Sequence, residues 1–209
     1  MRQKPPSFRK LKKFKVLLGT PTAESKNYCL DEWLERAKNL TYENYDMFVA
    51  DNSKTDANTK MFIERGIKAV HINPEGLVNQ QYVANSLEAI RKEAIDGNYD
   101  FLFILESDII PPFTVIDQLL INNINYNIPI VSASYFISTG HHSVPCLQAM
   151  EDFGELRHSV NIENVSWIAF MDGKVKKVSH CGIGCIMIHR SVFTKIAFRW
   201  EDGAVPHPD

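Results

Sequence analysis

The sequence predicts an α/β fold in which a mainly parallel central sheet is flanked by helices. Short apolar runs, each closed by a cluster of turn-forming residues, alternate with segments in which apolar residues recur at helical spacing. The run at 101–105 is apolar throughout, as a strand buried on both faces should be. A chain of 209 residues has room for one domain of ordinary size.

Five strands are predicted from apolar runs that stop at turn-forming residues. They are 15–19, 45–50, 67–72, 101–105 and 128–133. Apolar residues three or four positions apart mark the helices between them. The predicted helices are about 30–37, a short one capped by Asp56 or Asn58, about 78–95, and one opened by Pro111 and Pro112. The third of these helices should bury a face made of Val83, Leu87, Ile90 and Ala94.

From about residue 134 the sequence is less regular. The predicted elements there are extended pieces near 144–150 and 165–170, a strand over 178–188 and a short helix over 190–197. We expect residues 1–14 to form a basic N-terminal arm and 15–209 to form a single domain. Because the sequence stops at Asp209 without a closing element, we expect a truncated chain or an unusually short C-terminus.

Charge is distributed unevenly along the sequence. Residues 1–15 hold seven lysines and arginines and no acid, which leaves 16 basic against 25 acidic residues in the rest. An acidic body argues against a nucleic-acid partner. The basic arm predicts a solvated, partly disordered terminus, and the alternative is weak contact with a membrane surface through Phe8, Leu11 and Phe14.

The location is predicted from two further features of the sequence. No apolar run is long enough to span a membrane, and the N-terminus lacks the apolar core of a signal peptide. We therefore predict a cytoplasmic protein. Peripheral association with the inner face of the membrane through residues 1–15 is the alternative.

Polar residues follow four of the predicted strands at the point where each strand ends. In open α/β sheets, ligands bind beyond the carboxyl ends of the strands, so these residues are expected to border one site. The four segments are Thr20-Pro21-Thr22, Asp51-Asn52-Ser53, Asn73-Pro74-Glu75 and Glu106-Ser107-Asp108.

Glu106 and Asp108 are the strongest candidates for chemistry. They place two carboxylates just beyond an apolar strand, where burial without a partner is unfavourable. A divalent cation relieves that penalty, and hard oxygen ligands favour Mn²⁺ or Mg²⁺ held jointly with substrate phosphates. The alternative is that Asp108 caps the helix that follows Pro111.

Residues 98–112, which contain this acidic pair, resemble the acidic-motif segment of family 2-type glycosyltransferases with the GT-A (nucleotide-diphospho-sugar transferase) fold. Further pieces resemble the same family in the same order, so that the resemblance covers residues 14–209. They are 16–22, 49–56, Gly76 with Ala84-Asn85, and the glycine-rich segment 182–190. The resemblance implies a nucleotide-binding part at about 15–133 and a smaller acceptor-side half at about 134–209.

The resemblance also implies an activity. A metal-dependent enzyme would move a sugar from a nucleoside diphosphate sugar to the hydroxyl of a glycan, lipid-linked or protein acceptor, with inversion at the anomeric carbon. Asp108 and Glu106 would hold Mn²⁺ or Mg²⁺ with His207 as an added contact, and Asp209 would be the catalytic base. The residues implied in donor binding are Thr20, Pro21, Thr22, Asp51, Asn52, Ser53, Asn85, Glu106 and Ser107.

The sequence departs from the family pattern at three places. Glu106 replaces an aspartate, which keeps the charge and lengthens the side chain, and Ala84 stands where the family often has an arginine that contacts the diphosphate. In the family, an acidic pair after the glycine-rich strand usually carries the catalytic base. Glu201-Asp202 and Asp209 are both candidates for this position here. Asp209 matches better a variant of the family that has a single aspartate. Without a base, the chain would bind a donor and transfer nothing.

Two other functions stay open. A sugar-phosphate nucleotidyltransferase shares the fold, but those enzymes have a glycine-rich, basic loop after the first strand, and residues 20–25 are neither. A non-catalytic nucleotide-sugar-binding module would keep the fold without turnover.

The histidines and cysteines offer a further metal hypothesis. A zinc site would use His180, Cys181, Cys185 and His189. It is disfavoured because Cys181, Cys185 and His189 would be spread along one extended strand, too far apart for one ion. Buried small thiols explain the cysteines better.

Overall fold

The computed structural model describes residues 13–138, 143–145, 147–153, 156–161, 173–178 and 180–200. The strands are β1 (Val16–Thr22), β2 (Tyr45–Asp51), β3 (Lys68–His71), β4 (Phe101–Leu105), β5 (Ile130–Ser132), β6 (Phe136–Ser138), β7 (Ser143–Pro145), β8 (Leu147–Phe153), β9 (Leu156–Asn161), β10 (His180–Cys181) and β11 (Cys185–His189). The helices are a 3₁₀ helix (Glu24–Cys29), α1 (Leu30–Lys38), α2 (Ala57–Glu64), α3 (Asn79–Asp96), α4 (Val115–Tyr126) and α5 (Arg190–Phe193). Among these described helices, none combines the length and the apolar character needed to cross a membrane.

A six-stranded sheet forms the centre of the molecule, in the order β3-β2-β1-β4-β11-β5. Strands β3, β2, β1 and β4 pair in parallel, and β11 runs antiparallel between β4 and β5. The prediction of a mainly parallel sheet flanked by helices is therefore confirmed. Two small sheets, β10-β8-β9 and β6-β7, are formed by the second half of the chain.

Each face of the central sheet buries its own apolar cluster, because successive side chains of a strand point to opposite faces. Val16 and Leu18 of β1 pack with α1, α2 and α4 on one face, whereas Leu17 packs with α3 and α5 on the other. Strand β4 is buried along its whole length, as predicted. The helix predicted over 30–37 is confirmed, and its buried residues are Leu30, Trp33, Leu34 and Ala37.

Gly19 allows α3 to pack directly against β1. A Cβ atom at this position would lie 2.1 Å from Cγ2 of Ile90 in α3, far inside van der Waals contact. Any larger residue would push α3 away from the sheet. Helix α3 also forms a wall of a cavity beyond the carboxyl ends of the parallel strands, so the shape of that cavity depends on this glycine.

The prediction of one continuous strand over 178–188 is wrong. The structure has two strands there, and they belong to different sheets: β10 pairs with β8, whereas β11 enters the central sheet beside β4. Both pieces are extended, so an apolar run alone cannot show that they pair with different partners.

Several predicted boundaries also change. Strand β1 continues to Thr22, because its far end still pairs with β2 after its pairing with β4 has ended at Gly19. Helix α4 begins at Val115 rather than at the prolines, and α5 ends at Phe193. Val83 is exposed, and Ser86 is buried on α3 instead. The piece predicted near 165–170 and most of the N-terminal arm lie outside the described residues.

Candidate functional site

A cavity of about 1210 Å³ lies beyond the carboxyl ends of the parallel strands. All four polar segments predicted to border a site contribute to its wall, and α3 and residues 198–200 complete it. The described residues that give the cavity its chemical character are Pro21, Thr22, Glu24, Lys26, Asn52, Lys54, Glu75, Tyr82, Glu106, Ser107, Asp108 and Arg199.

Hydrogen bonds from three directions hold the acidic segment in place. The hydroxyls of Thr22 and Ser107 are 2.7 Å apart, which joins the end of β1 to the end of β4 inside the protein. The thiol of Cys29 donates to the carbonyl oxygen of Ser107 at 3.3 Å. On the other side, the backbone N–H of Glu106 donates to the carbonyl oxygen of Gly184 at 2.8 Å. The acidic segment is therefore fixed before any ligand binds.

Asp108 has two carboxylate oxygens in different environments. Oδ2 forms an ion pair with Nζ of Lys26, which is the one partner of this carboxylate among the described residues. Oδ1 is buried and has no hydrogen-bond partner there. No N–H of α4 donates to Asp108 in the described structure, so the alternative that Asp108 caps this helix is wrong. A buried carboxylate oxygen without a partner is what a bound cation would satisfy.

Lys26 gives the acidic pair a positive neighbour. Burial by itself lowers the pKa of Lys26, but the hydrogen bond and charge of Asp108, with the charge of Glu106, outweigh burial and raise the pKa above its ordinary value. The lysine is therefore an ammonium ion at neutral pH. The sequence pattern does not reveal this contact, because Lys26 and Asp108 are 82 residues apart.

Asp51 organises the loop after β2 and the first turn of α2. Its carboxylate is fully buried and accepts hydrogen bonds from the backbone N–H and the hydroxyl of both Ser53 and Thr59. Thr59 is the third residue of α2, so Asp51 satisfies an N–H that has no partner within the helix. Asp56 occupies the N-cap position but its side chain pairs with Lys60 instead. The capping predicted for Asp56 or Asn58 therefore belongs to Asp51.

The predicted site residues fall into three groups. Those that border the cavity are Pro21, Thr22, Asn52, Glu106, Ser107 and Asp108. Thr20, Asp51 and Ser53 are buried and are absent from its described lining, as is Asn85, which is exposed on α3. His207 and Asp209 lie outside the described residues, together with Glu201-Asp202, so their roles stay predictions.

An ion pair on α3 fixes the segment after β11 against the cavity. Glu88 accepts hydrogen bonds from the guanidinium of Arg91 at 2.6 and 2.7 Å and from the backbone N–H of Phe198 at 3.1 Å. Arg91 in turn donates to the carbonyl oxygen of Phe193 at 2.8 Å. The ion pair therefore sets the position of residues 198–200, which border the cavity and bring Arg199 to it. Arg199 is a second basic residue that the sequence pattern does not reveal.

The residues present fit a hard divalent cation better than zinc. No group of three or more histidine, cysteine, aspartate or glutamate residues converges within the described part of the chain. Glu106 and Asp108 place two carboxylates at the cavity, and hard oxygen ligands of this kind suit Mg²⁺ or Mn²⁺. Cys185 is buried in the core, and burial raises the pKa of its thiol to about 12, so it stays protonated. This confirms the interpretation of Cys185 as a buried small thiol.

No family model and no curated protein matches the chain. Solved structures do match it. A mannosyltransferase from Pyrobaculum calidifontis, solved with GDP-Man and Mn²⁺, is 15% identical, with a TM-score of 0.45 over 58% of this chain and 36% of its own. TarS from S. aureus, solved with UDP, is 12% identical, with a TM-score of 0.49 over 64% of this chain and 39% of its own.

A third structure, a CMP:2-keto-3-deoxy-manno-octonic acid synthetase solved with CTP, is also 12% identical. Its TM-score is 0.52 over 87% of this chain and 76% of its own. Similarity at this level concerns the fold alone. The chain has a GT-A-type α/β fold, as predicted. It spans about two fifths of the length of the mannosyltransferase and of TarS.

Proposed function

We propose that the chain is a metal-dependent glycosyltransferase that moves a sugar from a nucleoside diphosphate sugar to an acceptor hydroxyl with inversion. The observation that carries this proposal is the carboxylate of Asp108. It borders the main cavity just beyond β4, and its Oδ1 is buried without a partner among the described residues. The resemblance of residues 98–112 to the acidic-motif segment of family 2-type glycosyltransferases supports the same function.

The nucleoside is proposed to lie along Pro21, Thr22 and Asn52, which follow β1 and β2 at the cavity. The side-chain amide of Asn52 donates to Ser86 at 3.2 Å, and the hydroxyl of Thr22 is bonded to Ser107, so both side chains are held in place. Asp51 is fully buried and bonded to the protein, and we therefore give it a positioning role instead of a contact with the base.

Glu106 and Asp108 are proposed to hold Mn²⁺ or Mg²⁺, with His207 as an added contact. When bound, the ion supplies Lewis-acid stabilisation of the diphosphate. Asp209 is proposed to take the proton of the acceptor hydroxyl as general base. The acceptor oxygen then bonds to the anomeric carbon as the bond from that carbon to the diphosphate oxygen breaks, and the diphosphate leaves with the electron pair.

The proposal is tested by thermal unfolding with Mn²⁺ and a panel of nucleotides that includes UDP, GDP, CDP and CTP. A nucleoside diphosphate at about one hundred times its Kd should raise the Tm of the wild type by about 5–10 °C. Asp108→Asn should lose most of this increase, because the carboxylate charge that attracts the cation is gone. Glu75→Gln, which removes an exposed carboxylate from the same cavity, should keep it.

Each outcome of the panel separates one function from another. An absence of any Tm increase with every nucleotide would overturn the donor-binding proposal. A larger increase with CTP than with any diphosphate would favour a sugar-phosphate nucleotidyltransferase, whose fold the chain shares. Donor binding without turnover would favour a non-catalytic binding module. The glycan, lipid-linked or protein acceptor, the cytoplasmic location and the membrane contact of residues 1–15 stay predictions.

A further inference from the structure

The ion pair between Lys26 and Asp108 lies at the carboxylate that the proposed function gives to a metal ion. Nζ of Lys26 is bonded to Oδ2 of Asp108. The Asp108 side chain is 19% exposed and that of Lys26 is 39% exposed, so the pair is partly removed from water. The ammonium group of Lys26 is therefore a cation that the protein itself places at Asp108.

The position of Lys26 is fixed by the same bonds that hold the acidic segment. The thiol of Cys29 lies 3.3 Å from the carbonyl oxygens of both Lys26 and Ser107. The backbone N–H of Lys26 also donates to the carbonyl oxygen of Ala23 at 2.9 Å. The backbone of Lys26 is thus tied to the end of β4, whereas its long, unbranched side chain remains able to change partner.

Charge balance disfavours a divalent metal on Oδ1 of Asp108 while Lys26 stays on Oδ2 in the absence of a substrate. Glu106 and Asp108 together carry two negative charges, and Lys26 offsets one of them. A divalent cation added beside Lys26 would leave the cluster with excess positive charge, and the two cations would repel each other at short range. A diphosphate changes this balance, because it brings negative oxygens for both cations.

We infer that Lys26 is an internal counter-ion of Asp108 which a divalent metal must displace, and which passes to the diphosphate when the donor binds. This inference rests on the proposed function. Lys26 is a positioning residue here: it weakens metal binding to the free protein and makes the metal and the donor bind together. The metal site is then occupied chiefly in the donor complex.

The test is a titration with Mn²⁺ alone, in which electron paramagnetic resonance measures the free ion. Lys26→Met removes the ammonium and keeps most of the side-chain volume, and should bind Mn²⁺ about tenfold more tightly than the wild type. Lys26→Arg keeps the charge and should stay near the wild type. The matched control is Lys54→Met: Lys54 is exposed, borders the same cavity and is not bonded to Asp108 in the described structure. It should change the affinity less than about twofold.

The outcomes separate this inference from the proposed function. Equal Mn²⁺ affinity in the wild type and Lys26→Met, or an equal gain in Lys54→Met, would overturn the role of Lys26 and leave the metal site standing. An absence of Mn²⁺ binding in every variant would also overturn the role of Lys26, and the nucleotide panel with Mn²⁺ would then decide the proposed function by itself. In a protein that already carries Asp108→Asn, adding Lys26→Met should not increase the Mn²⁺ affinity. This result would show that Lys26 acts on the metal through the carboxylate of Asp108. Circular dichroism and thermal unfolding confirm that each variant is folded.

Discussion

At the scale of single residues, the candidate site shows how position in space decides the role of a side chain. Asp51 and Asp56 lie five residues apart, and both are of the type that caps helices. Asp51 is the one that reaches the N–H of Thr59, at 2.9 Å, because it ends β2 directly beside the first turn of α2. Asp56 lies on the surface and pairs with Lys60. The residue type is visible in the sequence, but its partner is not.

The capping role of Asp51 predicts a large loss of stability in Asp51→Asn. The substitution keeps the volume but replaces one acceptor oxygen with an amide group that faces the donors of Ser53 or Thr59. Leaving buried donors without an acceptor should lower the free energy of unfolding by about 3 kcal/mol. Urea denaturation followed by circular dichroism measures the change.

Asp56→Asn is the matched control, since its carboxylate is exposed, and its urea midpoint should stay close to that of the wild type. If Asp51 instead served the nucleoside, Asp51→Asn would weaken nucleotide binding while the urea midpoint stayed unchanged. That result would contradict the positioning role.

At the scale of elements, the local sequence pattern predicts correctly the strands and helices whose apolar residues are all buried in the core. Strand β4 is apolar throughout and is buried throughout, and α1 buries the residues that its periodicity marks. Helix α3 is different, because its first half borders a cavity and its second half packs on the sheet. Val83 has the spacing of a core residue and is nevertheless exposed. The pattern fails there because Val83 lines the cavity and does not pack on the sheet.

The Glu88–Arg91 pair predicts a pH dependence for the segment that it ties to α3. Hydrogen bonding by Arg91 holds the pKa of Glu88 below its ordinary value near 4.5, against the opposing effect of burial, and the N–H of Phe198 adds to the lowering. A lowered pKa in the folded state means that the ionised carboxylate stabilises the fold above pH 4.5. This stabilisation is lost as the pH falls below that value.

Chemical denaturation of the wild type and Glu88→Gln at a series of pH values measures this effect. The wild type should be more stable by a constant amount from pH 7 down to about pH 5, and the difference should shrink below pH 4.5. A difference that stays constant down to pH 3 would show that the charge of Glu88 does not anchor the segment.

At the scale of the whole molecule, the alternation of strands and helices predicts the fold class but not the full order of the sheet. Four parallel strands follow from the β-α-β pattern. The insertion of β11 between β4 and β5 cannot be predicted in the same way, because the local sequence does not show which strand an extended segment will pair with. Nor does any local signal show that Lys26 and Arg199 line the same cavity as the acidic segment, because the path of the chain decides it.

The central place of β11 predicts how its cysteine reacts. Cys185 is 2% exposed and burial raises the pKa of its thiol to about 12, whereas Cys29 and Cys181 are partly exposed. Iodoacetamide should therefore modify Cys29 and Cys181 in the folded protein and reach Cys185 only when the molecule unfolds. Mass spectrometry of peptides from samples labelled in increasing urea measures each rate.

The labelling of Cys185 should rise with urea with the slope of global unfolding. Labelling of Cys185 without urea at the rate of Cys181 would show instead that β11 opens separately from the rest of the sheet.

The order of the central sheet has a consequence for biosynthesis. Strand β11 is the last strand of the central sheet along the described chain, and it lies between β4 and β5, which both precede it in the sequence. Until β11 has been synthesised, one side of β4 has no neighbour, and a nascent chain exposes an apolar edge of the kind that pairs with other chains. The central sheet can therefore be completed only after residue 189 has been synthesised.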